Sequence, residues 1–399
     1  MFPIRYLCVG AALLVTAGVL AVSLPQATVD GQSTMPNYRV DPSWPKPLPL
    51  VKDASGVLKQ WVTGEVGGGC IDSHDHIVTL NRGFLLQAGG LISAYGPFAM
   101  AAPPVIIYDV AGNIVTSWGD PTLTPEGGPK TLPGGFHGCF VDYQDNIWIG
   151  GNNDGVVQKY SHEGKFLLQI GQKGACDGAP NTSKGIYPTC GSPGLNKSQT
   201  LLNNPGDIAV DPNPDPVTGQ RGSVYIADGY GNFRVAVFDS KGTFLRQFGS
   251  RGNGPGQFGY VEGNGGSGHP HCVVLSNDGL VYTCDRGNNR IQVFDKLGAL
   301  KREIKVDPEE QRGAVNRNAA NDITFSNDKA ETYIFDTDID TMRVWILNKQ
   351  TGITLGGFGR SGHGPGELNY PHSIVSDSKG NLYVSETVGG RRSQKFVKQ

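Results

Sequence analysis

The sequence predicts an all-β chain, a six-bladed β-propeller whose ring is closed by an N-terminal strand, and three observations carry that prediction. First, three hairpins share one design. His137-Gly138-Cys139-Phe140-Val141, His271-Cys272-Val273-Val274-Leu275 and His372-Ser373-Ile374-Val375-Ser376 each open on a histidine. Each then turns and reaches an aromatic residue eleven positions on, at Trp148, Tyr282 and Tyr383. Second, runs closing on glycine recur at the ends of units, as in Leu245-Arg246-Gln247-Phe248-Gly249 and Leu355-Gly356-Gly357-Phe358-Gly359. Third, 58 glycines and turn pairs such as Asp278-Gly279 separate short β-rich runs, and no long helical periodicity appears.

Residues 1–24 read as a secretion signal. Arg5 precedes an apolar run from Tyr6 to Leu24, with small residues at Ala21 and Ser23. An uncleaved anchor is the alternative, since the run is nearly long enough to span a bilayer. Its Ala and Gly content and the polar chain that follows favour cleavage. The expected location is secreted or periplasmic, with no stable membrane association afterwards. Residues 25–56 form a leader with Pro42, Pro45, Pro47 and Pro49 and no alternation.

The propeller is expected over residues 57–399. Its inner hairpins begin near Gly67, His137, Gly206, His271, Asn321 and His372, and the third run of several units is β-branched, as in Arg290-Ile291-Gln292-Val293-Phe294-Asp295. A glycine turn and a closing run complete four antiparallel strands, which is one blade. The sixth unit ends at Lys395-Phe396-Val397, after its third strand. Residues 58–64, Leu58-Lys59-Gln60-Trp61-Val62-Thr63-Gly64, match a closing run that no unit precedes, and they are expected to supply the missing strand and remove an open edge. The longest insertions, 83–103 and 172–203, are where a substrate mouth is expected.

A net charge of −2 with both signs scattered over 399 residues argues against a nucleic-acid or polyanion partner. The expected partner is a small molecule or peptide, bound by a monomer. Six cysteines follow the signal: Cys70, Cys139, Cys176, Cys190, Cys272 and Cys284. Cys176 and Cys190 flank a Gly/Pro/Asn-rich insertion and are the expected bridge. Cys272 and Cys284 lie on paired strands of one hairpin and could also meet.

Inner strands line a propeller's channel, and His137, His271 and His372 open those of blades two, four and six. Alternate blades stand a third of a turn apart, so three imidazoles should converge on the axis with one coordination position free, the donor set of a catalytic zinc. The plainer alternative is a set of repeat relics bonding across the channel. The positions between them hold Gly67, Gly206 and Asn321, so a relic would have survived only in every other blade. His74, His76, His162, His269 and His363 read as solvated turn residues. Arg82 and Arg286 follow the second strands of blades one and four at one register, and Tyr230 lies one position further in blade three. An arginine fork suits a carboxylate, and a tyrosine beside cations can serve as a base.

Val224-Tyr225-Ile226-Ala227-Asp228-Gly229-Tyr230-Gly231-Asn232-Phe233-Arg234-Val235, with Asp285-Arg286-Gly287-Asn288-Asn289-Arg290-Ile291-Gln292-Val293-Phe294, resembles the NHL-repeat propellers. Within them the chain, from about residue 57 on, is similar to the peptidyl-α-hydroxyglycine α-amidating lyases. The resemblance implies zinc ligands at His137, His271 and His372, a catalytic tyrosine at Tyr230 and functional arginines at Arg82 and Arg286. It implies cleavage of the N–C bond of a carbinolamide, releasing an amide and glyoxylate. The family methionine before the last zinc histidine is Tyr370 here, and the acidic structural calcium ligand after it is Ser373, so Ca2+ loses a ligand. Gly231 and Phe294 stand where the family has cysteines. The competing expectation is a non-catalytic NHL-repeat propeller that binds a protein or glycan through its loop face.

Overall fold

The computed structural model describes residues 35–82, 98–119, 132–178, 180–181, 189–190, 194–259, 269–306 and 318–399. The predicted signal, most of the insertion 83–103 and part of the insertion 172–203 lie outside these residues. Among the described residues there is no α-helix, only a 3-10 turn at Arg286–Asn288, and no helix is long and apolar enough to cross a membrane.

The strands form six four-stranded antiparallel sheets. Sheet one holds Val66–Ile71, Ile77–Asn81, Val105–Tyr108 and Ile114–Trp118; sheet two holds Phe136–Val141, Ile147–Gly151, Val156–Tyr160 and Phe166–Gly171. Sheet three runs from Asp207–Pro214 to Phe244–Phe248, sheet four from Val273–Leu275 to Leu300–Lys305, and sheet five from Asp322–Phe325 to Thr354–Phe358. Sheet six has three consecutive strands, Pro371–Ser376, Leu382–Glu386 and Arg392–Lys398. These are the elements of a β-propeller.

Apolar alternation explains the packing. Each sheet presents β-branched and aromatic side chains on both faces, and each face meets a neighbouring sheet. One cluster, with Leu80, Phe136 and Ile149, joins sheets one and two; another, with Tyr282, Phe325 and Trp345, joins sheets four and five. A further cluster, with Ile77, Tyr108 and Tyr383, joins sheet six back to sheet one.

The closing strand differs from the expectation. Sheet six takes its fourth strand from Tyr38–Asp41, in register Tyr38↔Lys398 to Asp41↔Lys395. Leu58–Val62 instead pairs antiparallel with Leu50–Lys52 and parallel with Ala99–Ala101 in a separate three-stranded sheet. Burial is the physical reason. Tyr38 packs on Phe335 and Phe358 at 5.4 and 5.3 Å, and Trp44, 4% exposed, packs on Tyr383 at 4.9 Å. Burying one such indole removes about 150–250 Å² from water, on the order of 4–6 kcal/mol at ~25 cal/mol per Å². Leu58 is 57% exposed and offers no such face. The glycine-ended run 58–64 therefore does not complete sheet six; a strand within the expected leader does.

Candidate metal centre

The three register-equivalent histidines meet. Ring centroids of His137 lie 4.7 Å from His271 and 4.4 Å from His372, and His271 is 5.1 Å from His372. All three are buried, and their ligand nitrogens lie within 4.8 Å of one another, so they form a cluster that can hold a metal ion.

The intervening sheets orient the rings. His137 Nδ1 lies 2.5 Å from the Gly206 carbonyl and His271 Nδ1 2.6 Å from the Asn321 carbonyl. A carbonyl only accepts, so each Nδ1 carries the proton and each Nε2 keeps its lone pair. The Gly67 carbonyl faces His372 in the same way and pulls its pKa upward, although His372 Nδ1 has no partner at full hydrogen-bond geometry. Gly67, Gly206 and Asn321 are thus the second set of the ring. Gly67 has a further reason to be glycine, because a Cβ there would strike the Arg82 guanidinium and the Phe136 carbonyl.

Burial first, and then neighbouring positive charge, hold all three imidazoles well below the usual histidine range. For His137 the neighbours are His372 and Arg82, for His271 Arg286, and for His372 Arg82 and Arg286. Neutral imidazole is the form that binds a metal, so the donor set fits one.

Tyr230, Arg82 and Arg286 come to the same place. The Tyr230 hydroxyl lies 2.7 Å from His137 Nε2 and 3.0 Å from His271 Nε2. The Arg286 guanidinium stands over the Tyr230 ring at 5.5 Å and donates from Nη1 to Asn321 Oδ1 at 3.2 Å. Gly229 lets the Tyr230 turn approach, because any Cβ there would overlap the Pro270 carbonyl. Arg82 donates from Nε to the Phe136 carbonyl and from Nη1 to Glu65 at 3.1 Å, while its Nη2 is buried without a hydrogen-bond partner.

Sequence reasoning missed what lies beside the ring. A cavity of about 180 Å³ is lined by the three histidines together with Asp207, Asp322 and Ser373. Asp207 accepts from the Val273 amide and Asp322 from the Ile374 amide, both at 3.0 Å, so each carboxyl ties its sheet to the next. Burial raises both, and repulsion from Asp207 raises Asp322 further. The signal was present, since each aspartate directly follows a register position held by Gly206 or Asn321.

Residues 268–294 match the NHL repeat. That stretch contains His271 and Arg286. Human NHL repeat-containing protein 3 is 25% identical over 378 residues, covering 90% of this chain and 84% of that protein. Mouse peptidyl-glycine alpha-amidating monooxygenase is 24% identical over 351 residues, covering 81% of this chain but 29% of that longer protein. A streptogramin B lyase structure superposes with a TM-score of 0.50 at 12% identity, covering 84% of this chain and 94% of that one, which is a likeness of fold.

The other histidines divide. His363 is a turn residue beside Asn369, as expected. His269 is buried and accepts from the Gly287 amide at 2.7 Å; burial and then Arg286 push its pKa down to about 3. His76 and His162 sit at turns, but both rings turn to Asp72. Two disulfides, Cys70–Cys139 between sheets one and two and Cys272–Cys284 within sheet four, are the chemistry of an oxidising, extracellular or lumenal compartment. Cys176 is also disulfide-bonded, while the side chain of Cys190, its expected partner, lies outside the described residues.

Proposed function

We propose that the six sheets are the blades of a closed six-bladed ring, and that the protein is a secreted or periplasmic zinc-dependent lyase. It would split the N–C bond of a carbinolamide, such as a C-terminal α-hydroxyglycine, into an amide and glyoxylate. One observation carries this reading: three buried imidazoles converge, and two of them, His137 and His271, are oriented by backbone carbonyls and hold the Tyr230 hydroxyl between their Nε2 atoms. The similarity to an amidating monooxygenase supports it.

His137, His271 and His372 would hold the zinc, which supplies Lewis acidity toward a substrate oxygen. Tyr230 takes the proton from the carbinol hydroxyl as that oxygen becomes the aldehyde oxygen of glyoxylate. The C–N bond breaks, and the departing amide nitrogen takes up a proton. Arg82, with one guanidinium nitrogen buried and unpartnered, and Arg286 hold the carboxylate. Asn321 fixes both the His271 tautomer and the Arg286 fork, so it couples ligand to substrate clamp.

A binding propeller without catalysis is the second reading, supported by the similarity to NHL repeat-containing protein 3 over nearly the whole chain. The test is glyoxylate release from N-acyl-α-hydroxyglycine by zinc-loaded protein. Release above the spontaneous rate is expected; its absence overturns the lyase reading and leaves the binding one.

A further inference from the structure

The turn between the first two strands of sheet one departs from its repeats. Asp72, Asp142 and Asp377 each stand five residues after a register position, Gly67, His137 or His372. Asp142 and Asp377 are turn caps. Asn146 and Asn381, four residues on, return both a backbone and a side-chain amide to them. Trp148 Nε1 and the Tyr383 hydroxyl complete the sets. In sheet one the asparagine position is His76, and the aromatic position is Val78.

What replaces those donors is a pair of imidazoles. Asp72 Oδ1 takes the backbone amides of His74 and His76 at 2.8 Å each, which leaves Oδ2. His76 Nδ1 lies 2.9 Å and His162 Nε2 3.0 Å from that one oxygen, and the three ligand atoms lie within 4.8 Å of one another. His162 comes from the third turn of sheet two. Its backbone is fastened to sheet one, because Trp118 Nε1 donates to the His162 carbonyl at 3.0 Å. One turn belongs to each sheet: Asp72 caps the turn that carries His76, and Trp118 of sheet one holds the turn that carries His162.

The geometry points to a second metal site, formed by Asp72, His76 and His162 between sheets one and two, for a divalent transition-metal ion of the zinc class. Zinc bonds of about 2.0–2.1 Å in tetrahedral array set ligand atoms about 3.3 Å apart, close to the 2.9 and 3.0 Å found here. An ion would take the place of the two hydrogen bonds between nitrogen and oxygen, each neutral imidazole keeping its one proton on the ring nitrogen that faces away from the ion. The Asp72 side chain is 1% exposed, while those of His76 and His162 are 28% and 22% exposed, so the carboxylate is fixed and one side remains open to a water ligand. Burial pushes the Asp72 carboxyl up, but the amides of His76 and His74 and the two imidazoles more than reverse this, leaving an anion for the ion to meet. At a rise of about 3.3 Å per residue, the five residues from Gly67 to Asp72 put this site roughly 16 Å along the strand from the histidine ring. It is therefore a separate site, and its ion would staple two sheets at the far end of the channel.

The experiment is a zinc titration of the metal-free full chain by calorimetry, with bound zinc counted after desalting. Wild type is compared with His76→Asn, with His76→Asn combined with His162→Gln, and with His271→Ala. His76→Asn restores the residue that sheets two and six carry at this turn, so folding is protected. The double variant should lose one zinc equivalent per chain, and the zinc-induced rise in Tm of the sheet one–two junction should go with it. His271→Ala should keep that equivalent. If wild type and the folded double variant bind the same amount of zinc, the site is a hydrogen-bonded turn cap and the proposal is overturned.

Discussion

Two imidazole clusters in one molecule solve opposite problems. At the ring, His137, His271 and His372 are buried and are kept neutral by burial and by Arg82 and Arg286. Backbone carbonyls from three other sheets aim them. At the rim, His76 and His162 are part exposed and gather on the single anionic oxygen of Asp72. The contrast teaches that a metal site in a repeat protein can be written in two ways. Symmetry writes the ring, in which one position recurs in alternate sheets. Departure from symmetry writes the rim, where a histidine replaces the asparagine that sheets two and six carry at the same turn position.

The ring offers the largest test. Tyr230→Phe removes one hydroxyl from between two Nε2 atoms and leaves the ring's packing in place. Turnover of an α-hydroxyglycine should fall by ~10²–10⁴-fold, the usual cost of a lost general base, while zinc binding at both clusters persists. Turnover unchanged in Tyr230→Phe would move the base elsewhere. Arg82→Ala should mainly raise KM for substrates with a free carboxylate, and much less for the matching amides.

A smaller effect separates the two clusters by their scaffolding. His372 stands in sheet six, held against sheet one through Trp44, whereas the rim cluster spans sheets one and two. Trp44→Ala should cost about 3–5 kcal/mol in urea unfolding, as for other buried aromatics. Leu58→Ala, on the stretch first expected to close the ring, should stay within about 0.5 kcal/mol. Equal losses would mean that both stretches close the ring.

The difference also explains what could be read before any coordinates. The six hairpins, the ring of histidines and the positions of Tyr230, Arg82 and Arg286 rest on register, which a repeat prints directly in its sequence. The closing strand does not, because Tyr38–Asp41 lacks the glycine-ended run that Leu58–Gly64 displays; the ring packing of Tyr38 and the burial of Trp44 distinguish them. The Cys70–Cys139 bridge was missed because its cysteines sit three and two residues after their register positions, an offset that only the packing of adjacent inner strands reconciles. The rim cluster was missed because His76 and His162 belong to different turns of different sheets, so no single period relates them.

The finest comparison is between two aspartates, Asp72 at the rim and Asp207 beside the ring. Asp72 is lowered, so its contribution to stability is present above the ordinary aspartate pKa and fades as pH falls through its folded value. Asp207 is the reverse case. Burial pushes it up to about 7 from 3.8, with the Val273 and Ile208 amides opposing. Its native-state advantage is therefore complete below pH ~4 and is lost as pH rises through 7, because folding must then keep a charge in the cavity or a proton on it. Asp207→Asn removes that charge yet can still accept from the Val273 amide through its carbonyl oxygen. The variant should melt higher than wild type at pH 8, and the gap should shrink steadily toward pH 4. A shift of this size corresponds to at most about 4 kcal/mol, shared with Asp322, so a rise of a few degrees in Tm is expected. The opposite result, wild type outlasting the variant at pH 8, would show that the carboxylate is held ionised by a positive partner in the channel.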